Sequence, residues 1–515
     1  MTWPAWPGDP SEVGSTLPTG TARPTRRRLG LAIAAVAIAA VVMVTVAGLG
    51  AFLVWSAFSG DDEYPSAWDP AVGRLVPEVE ELRDLSFKHP VGVTFLTDAE
   101  FREYVAVDEE LDPAYRKSLR EAESLLRTVG LIGGPVDLLA ALDTSQRSSV
   151  LALYDSEEEK IVVRGEPPLD VSQRVTLVHE LVHVLQDQHF DIEALGERVE
   201  KSTSGSEDAL VALIEGDASR IEAEYVEGLP AAQRRAYDEQ EESEIGRVDD
   251  ELADVPAVVT TLLGAPYAYG PWVVQALVAD DGNEAVDRAL RRATFTQQIF
   301  TDALSVLDPA EPEPVPRVIR GEGERAIGEV ESFGAFDLYL VLASRIEPSD
   351  ALEIAQGWAG GRERIVGVDG GACMLANIVG VDEDATDAIR QGLEAWAGAG
   401  PEGVASVTDV DGLVGLRVCD PNEGDAGTSP DAEVERAEVV LVLYDSLLVS
   451  SFAEATEFDV DVSNASLECI SFSVVRDPGV AELTMQPQET LTEEEVGEAI
   501  DEAIPVALEE CGLSF

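Results

Sequence analysis

Positive charge is scarce in this 515-residue sequence: 35 Lys and Arg stand against 99 Asp and Glu, for a net charge of −64. A surface of that sign repels nucleic-acid phosphates and anionic lipid headgroups, which argues against both as partners. It fits a salt-rich habitat and plain solubility equally well. Cysteine is scarce too. Cys373, Cys419, Cys469 and Cys511 are the whole supply, and none has the Cys-x-x-Cys spacing of a thiolate-built structural zinc site. In an oxidising compartment the expected pairing is the sequential one, Cys373–Cys419 and Cys469–Cys511. The hydrophobic fraction, 45%, is that of a globular protein, so wholesale disorder is excluded. Histidine is the rarest chemically useful residue. There are four, and His179, His183 and His189 fall within eleven consecutive positions.

Residues 1–28 are rich in Pro, Gly, Ser and Thr, end in Arg26-Arg27-Arg28, and read as a disordered tail. The thirty residues Leu29–Phe58 carry no charge. As a helix they would extend ~45 Å, more than the ~30 Å hydrocarbon core, so they can cross a bilayer with some tilt. The apolar run exceeds that of a cleaved secretory signal, so the expectation is an uncleaved transmembrane anchor. The arginines before Leu29 then stay cytoplasmic, and everything after Phe58 lies outside the cell membrane. The tail holds only two acidic residues, Asp9 and Glu12, so the acidity belongs to the exported part.

A polar linker over residues 59–73 precedes an expected helix at Val76–Leu85 and a strand at Val91–Leu96, with Asp98 as the N-cap of the next helix. Further expectations are a helix at Pro113–Val129, a hairpin over residues 150–164, and helices at Val171–Gln188 and Ser206–Val226. This order predicts an α+β class, with a small mixed sheet packed on helices. From about 250 to 365 the sequence reads as helical, broken at Gly264, at Pro266–Pro271 and at Pro309–Pro316. Beyond Gly370 it reads as small disulfide-tied α+β modules. There Val439–Tyr444 and Ile470–Val475 look like short β runs, and Glu493–Glu510 like an acidic helix.

The chemistry gathers at His179-Glu180-Leu181-Val182-His183. On a helix, positions i and i+4 share a face, so both imidazoles can reach one zinc ion. Glu180 stands next to that face as a general base for an activated water. His189 follows His183 by six residues, the spacing of a three-histidine site, but that pattern needs a glycine midway and Gln186 stands there. On a continuing helix His189 points about 120° away from the pair. Glu215, inside Leu213-Ile214-Glu215-Gly216-Asp217-Ala218, is the favoured third ligand. A lone carboxylate in so apolar a helix is costly unless it is paired or metal-bound. Glu207, Asp208 and Glu222 are its rivals.

At His179–Gln188 and Ile214–Ala218 the chain resembles the glutamate-ligated (gluzincin-like) zincin metallopeptidases, and within them a membrane-attached bacterial and archaeal group. Weaker matches are Pro266-Tyr267-Ala268-Tyr269-Gly270 and Gly357-Trp358-Ala359-Gly360-Gly361-Arg362, where Gly361 replaces an expected acidic residue. The resemblance covers about residues 90–420. Together with the shift in composition beyond Gly370, it points to a zincin-like catalytic domain with a helical extension over residues 74–365 and a separate disulfide-tied α+β C-terminal region over 366–515. It further implies Zn2+ held by His179, His183 and Glu215, Glu180 as general base, and a peptide or protein substrate paired to an edge strand of the 150–164 hairpin. Tyr267 or Tyr269 would steady the oxyanion.

Overall fold

The computed structural model describes residues 64–513 apart from 107–112, 135, 201–205, 294, 322, 328–329, 369–370, 421–429, 459, 461 and 487–491. The expected tail and anchor, and the start of the linker, lie outside the described residues. The described part is a mixed α+β fold, mostly helical, with two small sheets.

Helix α1 (Val76–Arg83) is followed by strand β1 (Gly92–Leu96) and helix α2 (Asp98–Tyr104). Thr97 caps α2 in a reciprocal box with Glu100, so Asp98 is its first helical residue rather than its cap. Helices α3 (Pro113–Thr128) and α4 (Leu138–Ser149) lead to the hairpin β2 (Ala152–Asp155) and β3 (Lys160–Arg164). The sheet order is β1-β3-β2, with β1 parallel and β2 antiparallel to β3, which leaves β2 on an edge. Five helices follow: α5 (Val171–Phe190), α6 (Ile192–Glu200), α7 (Glu207–Gly228), α8 (Ala231–Leu252) and α9 (Ala257–Arg292).

Gly264, Pro266 and Pro271 were expected to break the chain, yet α9 runs through all three and departs from helical geometry only at Asp281 and Gly282. Each proline removes one backbone hydrogen bond. Burial outweighs that loss, because α9 packs more extensively on α7 than any other pair of elements pack together. The approach is close enough that a Cβ at Gly216 would overlap the Gly270 carbonyl, and one at Gly270 the Ala212 carbonyl. Gly216 therefore accommodates α9, while Ala218 packs in the cluster that contains the histidine helix.

After α10 (Gln298–Thr301) come β4 (Arg325–Ala326), β5 (Glu331–Ser332), α11 (Ala335–Ala343), α12 (Pro348–Gln356), β6 (Trp358–Val368) and β7 (Gly371–Gly380). Helix α13 (Glu383–Ala399), β8 (Ala405–Val410) and β9 (Leu413–Cys419) precede the helices α14 (Asp431–Glu457), α15 (Asn464–Val475), α16 (Pro478–Leu483) and α17 (Glu493–Glu510). The second sheet is antiparallel, in order β4-β6-β7-β9-β8, with β5 also on β6. Cys373 and Cys419 face each other across β7 and β9 and are bonded, as are Cys469 and Cys511.

Val439–Tyr444 and Ile470–Val475 are helical, inside α14 and α15, not strands. Their β-branched residues suggest strand locally, but the middle of α14, Ala437–Ser446, is buried on every side, and such a stretch loses the polar stripe that would reveal its period. It is the one helix among the described residues long and apolar enough to cross a membrane, and Val439–Tyr444 at its centre lie in the interior. The boundary expected between residues 365 and 366 falls inside β6, and one hydrophobic cluster extends from Leu126 to Ala507 across it. A second cluster joins α1, the three-stranded sheet, α5 and the C-terminal half of α7.

Candidate metal centre

Helix α5 begins at the N-cap Asp170, whose side chain accepts from the Gln173 amide while Gln173 accepts from that of Asp170. From there α5 runs unbroken to Phe190, and its middle is buried on every side. Helix α7 passes from one hydrophobic cluster to the other: Leu210, Ala212, Leu213 and Ile214 belong to the first and Ala218 to the second. Glu215 lies at the crossing, facing α5.

His179, Glu180, His183 and Glu215 are 5, 0, 7 and 4% exposed. The Nε2 atoms of His179 and His183 stand 3.1 and 3.3 Å from the same Oε2 of Glu215. One potential ligand atom from each residue lies within 4.8 Å of the others, so this group could hold a metal ion. The outward nitrogens are also fixed. His179 Nδ1 donates to Glu222 Oε2 at 3.0 Å, and Tyr237 donates to the other Glu222 oxygen at 3.3 Å. His183 Nδ1 donates to Gln186 Oε1 at 2.9 Å. The Gln186 amide cannot be reversed, because its Nε2 donates to the Ile214 carbonyl at 2.9 Å and to Asp217 at 3.1 Å.

With both Nδ1 atoms protonated, neutral rings present two Nε2 lone pairs to one carboxylate. Only a cation reconciles these three acceptors, either protons or a metal. Burial alone would depress His179, but the hydrogen bonds to Glu215 and Glu222 outweigh it and hold its pKa well above the ordinary histidine value. His183 moves the same way, with burial opposed by Glu215. Burial would raise Glu215, yet the two imidazoles hold it at about 2. The His183 Nε2 itself has no partner in hydrogen-bonding geometry. The donor set therefore fits a metal ion: two imidazoles oriented by second partners and one ionised carboxylate.

Glu180 is fully enclosed, and among the described residues its carboxylate has no side-chain hydrogen-bond partner; the Tyr154 backbone is the one polar group that favours its charged form apart from the imidazoles. Burial lifts its pKa above the ordinary carboxylate value against the pull of both imidazoles. The Tyr267 hydroxyl, on α9, is also buried and lies against the Glu215 carboxylate, with Glu180 as a further charged neighbour. Tyr269 lies elsewhere, packed edge-on against Phe300 and Phe336 in the core. His189 stands outside the group and donates to the Ser86 carbonyl. Among the rivals for third ligand, Asp208 bonds Gln297, and Glu222 orients His179 instead of joining the triad. Edge strand β2 packs on α5, held there by the Tyr154 hydroxyl on Asp187 at 2.8 Å.

Sequence reasoning missed the supports. Asp217 receives Gln186, Arg83 at 2.8 Å and Arg220 at 3.1 Å, and Arg83 also reaches Asp287 at 2.7 Å. Helical spacing carries part of this signal, since Gln186 lies one turn beyond His183 and Glu222 two turns beyond Glu215. Nothing local marks Arg83, which reaches Asp217 from 134 residues away. No protein-family model, no curated protein and no solved structure matches the chain, so its chemistry is read from these residues alone.

Proposed function

We propose that the chain is a zinc-dependent metallopeptidase of the zincin type, anchored in the cell membrane by residues 29–58 with its bulk outside. The observation that carries this reading is Glu180: a carboxylate wholly enclosed, with no charged or side-chain hydrogen-bond donor of its own among the described residues, beside a His-His-Glu triad. Burying such a group without a paired charge costs several kcal/mol, a cost that a catalytic role would account for. A site built only to hold a metal has no use for it.

Two imidazoles and one carboxylate are the donor set of catalytic zinc, which supplies a Lewis acid with one open coordination position. The protein's own groups do the rest. The Glu180 carboxylate takes a proton from the attacking water and passes it to the departing peptide nitrogen. The raised pKa of Glu180 suits that double task. The Tyr267 hydroxyl donates to the carbonyl oxygen as charge develops there. The free edge of β2 beside α5 pairs with an extended peptide, which holds the scissile bond over the triad. The uncharged Leu29–Phe58 run and the two disulfides support the anchored, extracytoplasmic setting.

The test uses the purified full chain. Wild type should bind one zinc and hydrolyse peptides, and His183→Ala should lose the zinc. Glu180→Gln should keep zinc and lose hydrolysis by about two to four orders of magnitude. Full activity in Glu180→Gln sinks the mechanism. Zinc binding without hydrolysis in wild type assigns the centre a binding role instead.

A further inference from the structure

As it stands the metal centre is shut: His179, Glu180, His183, Glu215 and Tyr267 are each 7% exposed or less. A peptide that pairs with the edge of β2 and reaches the triad has to enter between β2 and α7, both of which pack on α5. One helix ties those two sides together. Near its start α8 meets α7, where the Tyr237 hydroxyl donates to Glu222 Oε1 at 3.3 Å, and Glu222 in turn holds His179. Near its end α8 meets the chain just ahead of β2. There Ser148 of α4 donates to Glu251 Oε2 at 2.6 Å, Arg247 donates to the Ser148 carbonyl, and Arg102 of α2 lies 3.5 Å from Glu251. From Tyr237 to Glu251 the helix covers roughly 21 Å. It packs on α5 along the way, and Arg174 of α5 donates to Gln233 in its first turn at 3.0 Å. Helix α8 is thus a strap from α7 to the root of β2.

The strap is lightly held. Of its 22 residues only Tyr237 and Val248 are buried, whereas α7, of the same length, buries more than half. Packing of an apolar face is what keeps most helices in place, and α8 has almost none. Its other ties are polar contacts open to water, each of which contributes little. Like charges also meet beneath it: burial, and then Glu222 of α7, push Glu241 up to about 7. Pro230 before α8 and Pro256 after it separate the helix from α7 and α9. The two ends differ. Tyr237 belongs to the hydrophobic cluster around α5, while Glu251 is exposed. The start is therefore a pivot and the end a catch.

The geometry points to α8 as a lid over the metal centre, shut here. It turns on Pro230 and Tyr237 and lifts when the Arg247 and Glu251 catch leaves Ser148, which clears the space beside β2 for an extended peptide. Its part in admitting substrate rests on the peptidase reading; its part in covering the metal does not.

The test fixes the catch in the full chain. All four native cysteines are paired, so Arg102→Cys with Glu251→Cys supplies the two free thiols for a short, cleavable bis-thiosulfonate bridge. The bridged, zinc-loaded protein should release zinc to excess chelator at least about tenfold more slowly and lose peptide hydrolysis by a similar factor. Cleaving the bridge should restore both, with wild type carried through the same steps as control. Arg247→Gln loosens the catch and should speed zinc release by about tenfold, the size of one charge-assisted bond. Hydrogen exchange reads the lid without zinc or substrate: α8 amides should exchange as a group ahead of those of α5 and α7. Zinc release and hydrolysis that ignore the bridge, or α8 amides as protected as those of α7, overturn the lid. Zinc release that follows the bridge, with no hydrolysis by wild type, sinks the peptidase reading and leaves the lid standing.

Discussion

The Nδ1 of His183 donates to the side-chain oxygen of Gln186, 2.9 Å away and one turn further along the same helix. This bond turns the ring so that Nε2 faces Glu215. Gln186→Met keeps the bulk but removes the acceptor. Zinc affinity, measured by competition with a chelator, should fall by about 10–100-fold. An unchanged affinity would show that the ring needs no such support.

Arg83 and Asp217 form a buried pair, with side chains 1% and 0% exposed. Removing one partner strands the other. Arg83→Met should destabilise the fold by about 3–5 kcal/mol in denaturant titrations. It should also weaken zinc binding, because Asp217 anchors Gln186. The double variant with Asp217→Asn should recover part of the stability. Strict additivity of the two losses would contradict a direct coupling.

Gly216 lies against the Gly270 carbonyl, next in sequence to Glu215. In Gly216→Ala the new methyl must push α7 and α9 apart. The expected cost is about 1–3 kcal/mol, with a drop in zinc affinity as Glu215 shifts. A variant with wild-type melting temperature and affinity would mean that the contact yields freely.

Glu438 in α14 is held at about 7 by burial, against a hydrogen bond from Thr261 at 3.2 Å. Its pKa is higher folded than unfolded. The protonated form is therefore favoured by folding, and its contribution is full below the ordinary carboxylate value and lost as pH rises through about 7. Glu438→Gln keeps the Thr261 acceptor without the charge. It should stabilise the protein by about 3 kcal/mol at pH 8.5 and leave it unchanged at pH 4. Equal effects at the two pH values would show that the carboxyl is not titrating in this range.

The histidine spacing and the apolar flanks mark α5, because helix geometry is local and period 3.6 is visible in the residues themselves. The hairpin around residues 150–164 is legible for the same reason: alternation and a polar turn are local features. Legibility stopped at burial. Val439–Tyr444 reads as a strand until its neighbours enclose it, and Pro266 and Pro271 read as breaks until packing on α7 outweighs their missing hydrogen bonds.

For the candidate metal centre, the sequence alone determined which residues could be ligands, since imidazoles four apart on a helix must share a face and a carboxylate in an apolar helix needs a partner. Tertiary structure decided how they are held. It placed Glu215 between the two imidazoles, moved Glu222 from rival ligand to support of His179, brought Tyr267 and not Tyr269 to the site, and set Arg83 behind Asp217. Those relations join residues far apart in the chain, and no local period encodes which distant side chain a buried charge will meet.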